Sequence, residues 1–139
     1  YSPTDEPGTQ QSALMQAANG QLSHTPPTSW RCYTAAGADA SGSSNLYGGM
    51  GAGLSLISDE QVIAGWLTEV NNIIAENVGH RRWLLDPFLG SIAYGRVAGA
   101  HATSTRADAA AMKVFNTAGA AGPRRSPDLP SRLSRRGRR

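Results

Sequence analysis

The chain has 139 residues, of which 40% are apolar and 17% charged, with one cysteine. That composition suits a single soluble globular domain. No stretch reaches the ~18 consecutive apolar residues of a membrane span, and Cys32 alone excludes an internal disulfide framework and any all-cysteine metal site. The opening, Tyr-Ser-Pro-Thr-Asp-Glu, has neither an initiator methionine nor an apolar leader and is the start expected of a fragment or a processed product.

Charge is unevenly placed. Seven of the 13 basic residues are arginines between 124 and 139, opposed there only by Asp128. Residues 1–123 hold six basic against nine acidic groups, a net of −3. The isoelectric point of 9.5 therefore belongs to a basic tail on a mildly acidic domain. The expected division is a loose lead-in over 1–8, a folded domain over 9–121, and a basic disordered tail over 122–139, where Pro, Ser and Arg replace apolar residues.

From about Thr9 to Asn19 good helix formers place Ala13, Leu14, Ala17 and Ala18 on one face, and Asn19-Gly20 supplies a stop. Pro26-Pro27 forbids continuation, so residues 21–31 read as an ordered loop presenting His24 and Trp30. Residues 35–55 are Gly-, Ala- and Ser-rich and leave helix and strand open, with the glycines of 48–53 favouring a mobile loop. They lack the Lys-Ser/Thr of a phosphate loop. Ser58-Asp-Glu-Gln61 is a capping box, and Val62, Ile63, Trp66, Leu67 and Val70 then repeat at helical spacing with Glu69 near the end of that run, which Asn71-Asn72 breaks. GHRRWLLDP (79–87) is a short turn or helix halted by Pro87. Residues 91–97 suggest a strand with a bulge at Gly95, and 110–115 another.

His24, Glu69 and His80 stand out, because two imidazoles and a carboxylate are groups that a zinc site uses. Their spacing alone does not distinguish ligands from hydrogen-bonded structural histidines, since no HExxH pattern sets two of them on one helix face. Cys32 lacks an activating base and reads as a buried inert thiol. Ser23 has no third partner for a triad with His24. His101 reads as solvent-exposed in a loop, Arg81 or Arg82 as paired with an acid such as Asp86, and Trp30, Trp66 and Trp83 as core.

In order along the chain, Leu22-Ser23-His24, Ser44-Asn45-Leu46, Trp66-Leu67-Thr68-Glu69 and Gly79-His80-Arg81-Arg82 resemble the CAP superfamily, the cysteine-rich secretory, antigen 5 and pathogenesis-related-1 proteins, in its bacterial cysteine-poor branch. The likeness covers about residues 9–98 and is most specific in GHRRWLLDP. It implies an α+β fold, a CAP-like α-β-α sandwich truncated at both ends. It also implies a secreted, extracellular location and a cleft of two histidines and two acids. Matched by motif, the cleft residues are His24, Ser44, Glu69 and His80, with His24 and His80 as the metal contacts. Ser44 stands where the family carries the glutamate of Gly-Glu-Asn-Leu, and a neutral hydroxyl neither acts as general base nor offsets a divalent charge.

The expected function is thus a binding module rather than an enzyme, holding a divalent metal such as zinc or a small ligand: a lipid, a peptide or a cell-wall component. Two alternatives stand beside it. One is a metal-assisted hydrolase with Glu69 as general base. The other is binding of nucleic acid or an anionic surface through the arginine tail. A truncated sandwich would also expose strand edges to self-association.

Overall fold

A computed structural model describes residues 1–70, 78–102 and 105–116. Four helices and three strands follow in chain order: α1 (Glu6–Asn19), α2 (Ala35–Gly42), β1 (Ser44–Gly51), α3 (Asp59–Thr68), α4 (Gly79–Leu84), β2 (Ala93–Ala102) and β3 (Thr105–Lys113). The strands form one antiparallel sheet in the order β1-β3-β2, so the last strand lies in the middle. The fold class is α+β, as expected.

Alternation along β3 decides what covers each face of the sheet. Ala107 and Ala109 pack with Ala17 of α1 and with Val97. Ala110 and Met112 point the other way and pack with Val62 and Trp66 of α3, joined by Val114. Helices therefore cover both faces. The alanines bring α1 close to the strands, and Gly95 brings it closer still. A Cβ on Gly95 would stand 2.3 Å from the backbone of Thr9 and Gln10. Gly95 is thus not the expected bulge; it pairs in register with Ala111, and the irregularity lies between Ala100 and Ala102.

Helix α1 begins at Glu6, three residues before the expected start, with Pro7 in its first turn. Proline fits there because its missing N–H would have no intrahelical partner. Gly20 ends the helix in the left-handed conformation (φ 60°). Nor is the stretch before it loose. The Ser2 amide donates to the Ile92 carbonyl at 2.7 Å, and Asp5 meets the Lys113 ammonium at 2.7 Å. Leu14, expected on the buried face, is exposed, while Thr9, Ser12, Met15 and Gln16 are buried. Thr9 donates to the Glu6 carbonyl of its own helix, and Ser12 and Gln16 meet α2. The hydroxyls of Ser12 and Ser41 are 2.7 Å apart, and Gln16 donates to Ser41 Oγ at 3.2 Å.

The Gly- and Ser-rich stretch left open by sequence divides into a helix and a strand. Thr34 caps α2 by accepting from the Gly37 amide. Gly48–Gly51 belong to β1, paired with 106–109 of β3, and are not a free loop. The capping box at Ser58 forms as expected, with Gln61 reaching back. Asn71-Asn72 and the tail over 122–139 fall outside the described residues.

Candidate functional site

Where β1 begins and β3 ends, the α1/α2 side and the α3/α4 side leave a cleft of about 360 Å³, lined by His24, Ser44, Asn45, His80, Trp83 and Phe115. Three of the four expected cleft residues are thus brought together from opposite sides of the sheet.

His24 is placed by its neighbour. The Gln16 side chain of α1 donates to the Ser23 carbonyl at 3.0 Å and accepts from the Ser23 amide at 2.8 Å, clamping the loop just before the histidine. The imidazole then donates from Nδ1 to the Ser41 carbonyl at 2.9 Å. A carbonyl only accepts, so the proton sits on Nδ1 and the other nitrogen, Nε2, carries a lone pair in the neutral ring.

His80 is held in the same way by different groups. Helix α4 starts one residue earlier at Gly79, and Asn45 donates to the His80 carbonyl at 3.1 Å. Its Nδ1 donates to Glu69 Oε2 at 2.8 Å. The same carboxylate accepts the Arg81 amide on Oε1 at 2.9 Å. Glu69 reaches this place from the C-cap of α3, with a left-handed backbone. Its side chain is only 6% exposed, and it stands behind His80 rather than on the cleft wall. Trp66 of α3 backs the imidazole, with ring centroids 6.5 Å apart.

Two imidazoles with Nδ1–H committed, one to a carbonyl and one to a carboxylate, are the outer-sphere arrangement that fixes histidine ligands around metals. The donor set is small: among the described residues no group of three or more His, Cys, Asp or Glu side chains is placed to hold an ion. Ser44 is 3% exposed, and its hydroxyl has no hydrogen-bond partner among the described residues.

Several expectations need correction. Cys32 is exposed, not buried, and its backbone is left-handed (φ 59°) in the turn before α2. His101 lies in β2 and is half-buried, with Nε2 within 3.1 Å of the Ala18 carbonyl, because the strand runs farther than its small residues suggested. Trp83 is an exposed wall of the cleft, stacked edge-on with Phe115 at 4.2 Å, and not core. Trp30 is half-buried, and only Trp66 of the three is fully enclosed. Asp86 accepts the Phe88 amide in its own turn.

Sequence reading also missed Asn45 and the Trp83–Phe115 pair. Asn45 had a signal only in its place beside Ser44 in the Ser44-Asn45-Leu46 segment; both residues are buried and line the cleft. A second missed cluster lies away from the cleft: Arg96 donates from Nε and Nη2 to the buried Asp108 and from Nη1 to Asp59. No protein-family model, curated protein or solved structure matches the chain.

Proposed function

We propose that the chain is a secreted binding module of the CAP type, built as an α-β-α sandwich, whose cleft takes a divalent metal such as zinc or a small ligand: a lipid, a peptide or a cell-wall component. The family reading rests on the four motif segments and on GHRRWLLDP, and the extracellular location rests on that resemblance. Helices on both faces of the sheet accord with it. None of the described helices is long and apolar enough to cross a membrane.

The observation that carries the site is the matched pair of imidazoles, each anchored through Nδ1 and lining one cleft. Two nitrogen ligands suit a weakly held zinc, whose remaining positions water or ligand atoms fill. When bound, such an ion supplies a Lewis-acid centre. Hydrolysis is disfavoured, because Ser44 replaces one acid and both oxygens of the other, Glu69, are engaged by His80 and the Arg81 amide. The proposal includes pairing of copies along β1 or β2, the outer strands of the three-stranded sheet.

Calorimetric titration with zinc tests the site. Weak binding that disappears in both His24→Ala and His80→Ala is the expected result. Binding undiminished in the two variants removes the metal assignment.

A further inference from the structure

The polar groups of the cleft have one bias. His24 and His80 both commit Nδ1–H within the protein, so in the neutral rings the nitrogen left for a ligand is Nε2, an acceptor. Asn45 has its amide nitrogen engaged by the His80 carbonyl. Ser44 adds a buried hydroxyl without a partner among the described residues. Apart from two glycines, the rest of the lining is aromatic: Trp83 and Phe115, both exposed and edge-on at 4.2 Å.

A ligand that fits must bring donors to the imidazoles and an apolar surface to the tryptophan. Ionised carboxylates and phosphates carry no donors. An acyl chain would cover Trp83 but leave both Nε2 atoms desolvated and unpaired, which is costly. An ammonium group supplies donors and suits an aromatic face, but Arg81 and Arg82 precede Trp83 on α4 and repel a cation. A pyranose with equatorial hydroxyls meets both demands. Its rim donates and accepts hydrogen bonds, and its axial C–H groups form an apolar face that stacks on an aromatic ring.

We propose that the cleft binds a neutral saccharide, one ring stacked on Trp83 with its hydroxyls donating to Nε2 of His24 and of His80. This rests on the cleft being a ligand site and narrows its ligand to the sugar part of a cell-wall component. Zinc is not needed for it.

Saturation-transfer NMR on the full chain with cellobiose, run with a chelator so that no metal takes part, is the test. Transfer should be strongest at the axial ring protons, and sorbitol, which has the hydroxyls without the flat face, should receive little. Cellobiose affinity should fall about tenfold or more in Trp83→Ala, where the apolar contact is lost, and comparably in His24→Ala. Trp83→Phe should recover part of it. Both residues are exposed, and circular dichroism checks that the variants fold. Zinc titration stays a separate measure of the cleft. Transfer to cellobiose without zinc binding supports the sugar site and removes the metal, whereas zinc binding without transfer keeps the metal and overturns the sugar. Transfer to dihexanoylphosphatidylcholine or to triglycine but none to cellobiose overturns it too. So does equal transfer to sorbitol, or cellobiose affinity unchanged in Trp83→Ala.

Discussion

Glu69 Oε2 lies 2.8 Å from His80 Nδ1, and the carboxylate is delivered there by a residue in the left-handed conformation (φ 57°). Residues with a Cβ occupy that region at a cost, and helix ends usually assign it to glycine or asparagine. The side chain offsets this cost by accepting two donors at once, the His80 ring and the Arg81 amide.

Glu69→Gln keeps the shape but presents one acceptor and one donor. One of the two donors then loses its partner, at about 1–3 kcal/mol. Thermal unfolding should show the loss. Zinc titration should show affinity reduced about 10–100-fold, the usual effect of removing a group that orients a ligand. An unchanged melting temperature and an unchanged titration together would mean that Glu69 positions nothing.

Trp66 is the largest side chain in the core beneath His80; it is 4% exposed and donates to the Leu46 carbonyl at 3.1 Å. Trp66→Ala should cost about 3–5 kcal/mol in urea denaturation. Trp66→Phe retains most of the packing and should cost less, chiefly through the orphaned carbonyl, about 1–3 kcal/mol. Equal costs for the two would mean that the hydrogen bond rather than the ring fills the role.

What could be seen in the sequence follows from how local each cause is. The α3 start was legible because a capping box is complete within four residues, Ser58 to Gln61. The end of α1 was legible because Gly20 alone supplies the left-handed turn. By contrast, β1 was hidden because its glycines owe their strand conformation to pairing with β3, some sixty residues away. The start of β3 was hidden for the same reason, whereas β2, which pairs with its neighbour β3, was cut short at 97 because the residues that continue it to Ala102 are small. At the site, the residue types and the motif resemblance singled out His24, Glu69 and His80, but neither could show that Glu69 stands behind His80. That depends on the backbone angle of one residue. Cys32 was misplaced because burial of a thiol is set by the turn around it, and Trp83 because an aromatic in a short helix can face a cleft as readily as a core.

Arg96 and Asp108 form the most buried ion pair in the described chain, with Asp108 fully enclosed. Burial by itself would lower the Arg96 pKa, yet hydrogen bonds to Asp108 and Asp59 raise it on balance. Arg96→Ala strands a buried carboxylate and should cost about 3–5 kcal/mol. Arg96→Lys should recover only part of this, since an ammonium cannot reproduce the two-pronged contact. Full recovery by lysine would show that charge alone matters.

Acid should unfold the protein through two surface carboxylates among others. Hydrogen bonds from Lys113 and Ser2 hold the Asp5 carboxyl below its ordinary 3.8. Hydrogen bonds from Arg96 and Tyr94 do the same for Asp59. A folded-state value below the unfolded one gives stability that is fully present above 3.8 and is lost as pH falls through the folded value. Stability measured from neutral pH downward should therefore hold until about pH 4 and then decline. The decline should be shallower in Asp5→Asn and Asp59→Asn. A slope identical to that of the unaltered chain would assign acid unfolding to other groups.

Ser44 makes the opposite kind of prediction. An enclosed hydroxyl with no partner among the described residues weakens the fold, by about 1–3 kcal/mol in mutational data. Ser44→Ala removes that group and leaves the packing of β1 nearly unchanged, so the variant should be more stable, by about 1 kcal/mol. Ser44→Glu should do the reverse, because it places an unpaired carboxylate at the start of β1 next to the two imidazoles. If the cleft holds zinc, the added carboxylate supplies a further ligand. Zinc should then raise the melting temperature of Ser44→Glu far more than that of the unaltered chain, since a ligand bound only to the folded state stabilises it in proportion to its affinity. A Ser44→Glu protein that zinc leaves unstable would mean that position 44 does not face the space between His24 and His80.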